Sequence, residues 1–255
     1  RSSDLATNES KHPWMDEGFT TYIEDLGMHY LAENKGERPV LGSYNSYRKL
    51  VESGKEQPLS THADRYDVNF AYSIASYSKG ELFLTQLEYL VGKENVIKTL
   101  QKYFDEFKFK HPTPNDIKRT AERITNAHLD WYLVDWTQTT NTIDYGIKNV
   151  EANSTNSNTT NITLERIGRM PMPIDIYVEY TDGSKESFYI PLKMMHYQKE
   201  NPTPEISRTI LGDWAWAMPT YTFTISKPKS SIQSISIDPS GLMADVKLNN
   251  NVFKP

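Results

Sequence analysis

Apolar residues recur at three- and four-residue spacing through the first half of the chain and at two-residue spacing in the second. Met15, Phe19, Tyr22, Ile23 and Leu26 fall on one face of a helix turning every 3.6 residues. The same reading predicts a helix over 44–52. A third is lined by Leu82, Leu84, Leu87, Leu90 and Val91 and stopped by Gly92, and a fourth by Val96, Leu100, Tyr103, Phe104 and Phe107. Thr113 suits an N-cap, Pro114 the first helical position, and Asp116 the positive end of the helix dipole. That fifth helix continues through Ile117, Ala121 and Ile124 towards another apolar-faced segment at 129–136.

Beyond Thr137 the period is two. Ile174-Asp175-Ile176-Tyr177-Val178-Glu179-Tyr180 alternates, Thr181-Asp182-Gly183-Ser184 supplies a turn, and the chain returns over 188–192. Alternation on both sides of an Asp-Gly turn is a hairpin pattern. Strands are also expected at 145–151, 162–167, 221–226 and 232–237, and 153–161 reads as a solvated Asn/Ser/Thr loop. The fold class expected is therefore α+β in two domains. A helical array occupies 1–140 and an antiparallel β-sandwich 141–255, with the boundary near 138–142.

Composition narrows the function classes. Among 255 residues, 28 Lys and Arg stand against 33 Asp and Glu, so there is no basic footprint and nucleic acid is not an expected partner. No apolar run approaches the ~20 residues of a membrane helix. Cysteine is absent, which excludes disulfides, thiolate metal sites and a cysteine nucleophile. Any metal must be held by His and carboxylates. The Asn/Ser/Thr-rich surface leans towards an extracytoplasmic protein, periplasmic or secreted, but the sequence does not decide the compartment.

The segment Trp14-Met15-Asp16-Glu17-Gly18-Phe19-Thr20-Thr21-Tyr22-Ile23-Glu24 carries the most chemical information. Glu17 and Glu24 share a helix face two turns apart, which suits a metal ligand with a supporting carboxylate, an acid/base pair, or a plain solvated face. Trp14, Phe19 and Tyr22 crowd the same turns and favour an enclosed carboxylate. Gly18 inside a helix costs about 1 kcal/mol against alanine, so it marks close packing against another element. A glycosidase pair is the weakest reading: Glu17 and Glu24 lie about 10 Å apart along the axis, and Asp16 and Glu17 point to different sides.

This run resembles the third-ligand helix of the aminopeptidase N and leukotriene hydrolase-like (gluzincin) zinc metallopeptidases. The resemblance implies Glu17 as a zinc ligand and Glu24 as the acidic residue that supports the ligands. Ser76-Tyr77-Ser78-Lys79-Gly80-Glu81-Leu82 is similar to the family's Tyr-x-Lys-Gly segment, which implies Tyr77 as the hydroxyl donor to the oxyanion of the tetrahedral intermediate. Trp136-Thr137-Gln138 resembles the junction to the family's β-domain. Ile235-Ser236-Ile237-Asp238-Pro239, Met243-Ala244-Asp245-Val246 and Asn249-Asn250 resemble its closing strands.

Zinc in such a peptidase is held by His-Glu-x-x-His plus the downstream Glu, and the motif's own Glu is the general base. None of the six histidines, His12, His29, His62, His111, His128 and His196, belongs to such a motif. Its second His precedes the third ligand by about nineteen positions, which places it before Arg1. The chain thus reads as the C-terminal part of a zinc metallopeptidase, and residues 1–4 match nothing in the family.

Several expectations follow. Zinc belongs to the longer parent, and this chain alone binds no metal tightly and has no peptidase activity. Its partners are a peptide substrate, in the parent, and the missing N-terminal part of the catalytic domain. The uncovered face of the helix at 14–30 invites self-association. The alternative is a non-catalytic relative acting as a protein-interaction module.

Overall fold

The computed structural model describes residues 7–31 and 40–255; residues 1–4, singled out above, lie outside them. The chain forms two compact units, Arg1–Thr140 and Asn141–Pro255.

The first unit is helical. Its elements are α1 (Pro13–Leu31), α2 (Leu41–Glu52), a 3₁₀ turn (Ala63–Arg65), α3 (Asn69–Ile74), a π turn (Ala75–Lys79), α4 (Gly80–Val91), α5 (Lys93–Phe107), α6 (Pro114–Thr125) and α7 (Asp130–Gln138). Every residue of α4 except Glu88 is buried, as expected of a helix that is apolar nearly all round. Around it runs an aromatic ladder. Trp14 lies 4.9 Å from Phe83, Phe83 stacks at 5.1 Å on Tyr132, and Tyr132 at 6.5 Å on Trp136, between ring centroids. Each such buried side chain contributes roughly 1.5–3 kcal/mol.

Local signals set the ends of these helices. Gly92, at φ 86°, closes α4 and opens α5. The Thr113 N–H donates to Asp116 Oδ2 at 2.7 Å and its hydroxyl to the same atom at 2.8 Å, capping α6 where the sequence placed the cap. The sequence reading missed α3, the π turn and the 3₁₀ turn.

The second unit is built of strands. β1 (Tyr145–Ala152), β2 (Thr160–Arg166) and β6 (Thr220–Ile225) form one sheet in the order β1-β2-β6. A second sheet contains β3 (Ile174–Tyr180), β4 (Lys185–Ile190), β5 (Arg208–Ile210), β7 (Ile232–Ile237) and β8 (Val252–Phe253), in the order β5-β4-β3-β7-β8. Pairing is antiparallel except between β4 and β5, which run parallel. The β3–β4 hairpin turns at Gly183, with φ 82°, and the Asp182 carboxylate accepts from the Ser184 N–H at 2.9 Å.

Ile162, Leu164, Ile174, Ile176, Val178 and Ile235 are wholly buried, and Phe188 of one sheet meets Phe223 of the other at 5.2 Å. A helical half followed by a sheet region of mainly antiparallel strands is thus the architecture. Trp214 packs on Tyr145 and Tyr221, so the Trp214–Tyr221 aromatics serve mainly packing, with Trp216 left exposed.

Candidate active site

The candidate site lies where α1 crosses the start of α4. A Cβ on Gly18 would stand 2.5 Å from the Cα of Gly80 and 2.8 Å from the Glu81 nitrogen. One on Gly80 would stand 2.8 Å from the Trp14 carbonyl oxygen and 3.0 Å from the Cα of Gly18. Only glycine on both sides lets the two backbones approach so closely. The close packing expected of Gly18 is present, and Gly80 is its counterpart.

This crossing brings Glu17 and Tyr77 together. Tyr77 sits in the middle of the π turn, where the Gly80 N–H donates back to the Ala75 carbonyl. Such turns insert one residue into a helix and occur often at functional sites. The Tyr77 hydroxyl lies close to the Glu17 carboxylate. Interaction with Glu17, followed by burial, raises the phenol above its ordinary pKa. Tyr77 is therefore a protonated donor at neutral pH, and at 44% exposure it is open to an incoming molecule.

The other acids on α1 have different surroundings. Asp16 has a raised pKa through burial and the nearby charges of Glu17 and Glu9. Glu24, two turns beyond Glu17, is exposed and lines an apolar groove of about 570 Å³ between α1 and α5, with Met15, Phe19, Ile23, Leu100 and Phe104.

The enclosed carboxyls lie on α4. Glu81 is fully buried, accepts a hydrogen bond from the Ser43 hydroxyl, and lies close to Asp25 of α1. Burial, with the Asp25 contact adding to it and the Ser43 bond opposing it, raises its pKa to about 8, so it holds a proton at neutral pH. Two turns on along the same face of α4, Glu88 accepts from the Tyr22 hydroxyl, and burial raises its pKa too. The sequence reading did not single out this pair; two carboxyls seven apart on an otherwise apolar helix were the available signal.

Residues 3–136 match the Peptidase family M1 domain. The chain belongs to peptidase family M1. M1 relatives of similar sequence include Leucine aminopeptidase 2 of Aspergillus fumigatus, 33% identical over 124 residues, which covers 47% of this chain and 20% of the relative. Leucine aminopeptidase 2 of Chaetomium globosum is 30% identical over 133 residues, covering 49% of this chain and 22% of the relative. The chain spans about a fifth of the length of these curated relatives. Among solved structures, Legionella pneumophila aminopeptidase A in complex with aspartic acid aligns with 95% of this chain and 24% of its own. Its TM-score is 0.55 at 13% identity, which speaks to the fold.

Zinc is the metal that the M1 family implies. Among the described residues, no three His, Asp or Glu side chains gather into a group able to hold a metal ion. Glu17 is an oxygen donor, partly open to solvent, and fits one position of such a site. The rest of the donor set would have to come from residues outside those described.

Proposed function

We propose that this chain supplies part of the active site of a zinc aminopeptidase that releases N-terminal residues from peptides. Glu17 is one of the residues that hold the metal, Glu24 supports the ligands, and Tyr77 stabilises the oxyanion. The Gly18–Gly80 crossing carries this reading, because it sets the segment bearing Glu17 directly against the segment bearing Tyr77. Zinc, when bound, supplies acidification of a water and polarisation of the scissile carbonyl.

The chain's own residues do the rest of the work assigned to them. The Gly18–Gly80 crossing fixes the separation of Glu17 and Tyr77. Tyr77, kept protonated, donates to the negative oxygen that develops as the carbonyl is attacked, where one such donor is worth roughly 3–4 kcal/mol of barrier. The names of the leucine aminopeptidase relatives support an exopeptidase assignment.

The isolated chain is inactive on this reading: a single carboxylate does not replace a three-residue zinc site, and no general base accompanies it. Its natural partners are the His-Glu-x-x-His-bearing part of a catalytic domain and the peptide.

The test is zinc titration with aminopeptidase assay on this chain and on a form extended upstream through that motif. Zinc-dependent release of N-terminal residues is expected only from the longer form. Glu17→Ala should abolish it together with tight zinc binding, whereas Tyr77→Phe should lower kcat by 10²–10³-fold with zinc retained. Activity that survives both substitutions would overturn the assignment. A longer form that binds no zinc would mark a non-catalytic relative, with the apolar groove between α1 and α5 as its interaction surface.

A further inference from the structure

Lys79 closes the π turn that carries Tyr77, and its surroundings are unusual for a lysine. The side chain is 0% exposed, and Nζ makes a 2.7 Å ion pair with Glu56 Oε1, itself 7% exposed. Nζ also lies 5.4 Å from the ring centroid of Trp136 and 5.7 Å from that of Tyr47. The Trp136 indole N–H donates to the Lys79 carbonyl at 3.2 Å. Three separate parts of the helical unit therefore converge on one residue: the segment between α2 and the 3₁₀ turn, α2 itself, and α7.

Burying an ammonium costs several kcal/mol, and an apolar side chain of similar length would commonly serve stability as well or better. What the charge adds is direction. An ammonium bound to one carboxylate and faced by two ring surfaces has a single low-energy position, whereas a methionine would slide. Direction matters here because the π turn holds one residue more than an α-helical turn. If it relaxed to α geometry, Tyr77 would rotate by about 100° around the axis and leave Glu17. We infer that Lys79 is a positioning residue, which locks the end of the π turn through Glu56, Tyr47 and Trp136 and so keeps the Tyr77 hydroxyl at Glu17.

This inference rests on the assignment of Tyr77 to oxyanion stabilisation, and the experiment separates the two. The chain is prepared with ¹³C-labelled tyrosine, and the Tyr77 ring resonance is assigned by its loss in Tyr77→Phe. In the parent sequence, Glu17→Gln should move that resonance at constant pH, because it removes the negative charge beside the hydroxyl. In a Lys79→Met background, with circular dichroism and the Tyr103 and Tyr132 resonances unchanged, Glu17→Gln should no longer move it. The chain has no cysteine, so Lys79→Cys can be aminoethylated in denaturant and refolded to restore an ammonium at the same distance. Sensitivity to Glu17→Gln should return after that treatment and be absent before it.

A Tyr77 signal that still responds to Glu17→Gln in folded Lys79→Met would overturn the inference. If Lys79→Met does not fold, Glu56→Gln serves in its place: a reduced response is expected, and a full response would overturn the proposal. The Tyr77 assignment fails separately, if Tyr77→Phe leaves turnover of the zinc-loaded longer form unchanged.

Discussion

Replacing Gly18 with alanine tests whether the glycine-to-glycine crossing holds Glu17 against Tyr77. The new Cβ would stand 2.5 Å from the Cα of Gly80 and 2.8 Å from the Glu81 nitrogen, both backbone atoms that no rotamer change can move. Ordinary contact needs about 3.5 Å, so α1 and α4 must part by about 1 Å. Overpacking of this kind costs about 1–3 kcal/mol, and contact with rigid backbone belongs at the upper end. Alanine's helix propensity returns about 1 kcal/mol, which leaves a net loss of about 2 kcal/mol. Gly27 is the internal control. It lies on the same helix with nothing within 4 Å of its missing Cβ, so Gly27→Ala should gain up to about 1 kcal/mol. Urea unfolding of the helical unit, followed by circular dichroism at 222 nm, reads both variants through the midpoint at constant slope. The Tyr77 resonance should also lose its response to Glu17→Gln in Gly18→Ala alone. Equal stability of the two variants, or an intact Tyr77–Glu17 coupling in Gly18→Ala, would refute the reasoning.

Three further outcomes are expected. The folded-state pKa of Glu81 lies above its ordinary value, so the folded state binds more protons than the unfolded one between about pH 4.5 and 8; stability should fall as pH rises through that window, and Glu81→Gln should flatten the slope in a series of urea titrations. Thr113→Ala removes the hydroxyl from the α6 cap and should cost about 1 kcal/mol by the same assay, with Ser restoring most of it. Ile23, Met28, Tyr30 and Leu31 are exposed on α1, and Ile23 lines the groove that also contains Phe104. Sedimentation velocity should therefore show concentration-dependent association that Ile23→Ser weakens, and a concentration-independent monomer would count against an adhesive face.

Much of the architecture was legible because long periodic segments declare themselves. α1, α4, α5 and α6, and the hairpin of β3 and β4, follow directly from spacing, caps and the Asp-Gly turn. The missed elements share a physical cause. β5 and β8 are three and two residues long, too short for alternation to register. The stretch from α3 through the π turn is rich in Ser and Tyr, whose helix propensities are middling, and its end is held by Lys79, Glu56 and Trp136. Of the candidate residues, Glu17 and Tyr77 were reachable by motif, but the crossing that sets their segments side by side depends on Gly18 and Gly80 packing together, which no local pattern announces. The buried Glu81 and half-buried Glu88 were hidden by the assumption that acids on a helix face water.

The tie between the Trp136 indole and the Lys79 carbonyl spans 57 residues of sequence. On a ribosome, α1, the π turn and α4 emerge long before α7, so the Gly18–Gly80 crossing can assemble while the far end of the turn still lacks its last anchor. The anchor that Trp136 gives the turn bearing Tyr77 is available only once Trp136 has been synthesised. Because contacts this distant in sequence form late, a nascent chain arrested before α7 would hold Glu17 in a nearly finished helix beside a turn still free to slip into ordinary helical register.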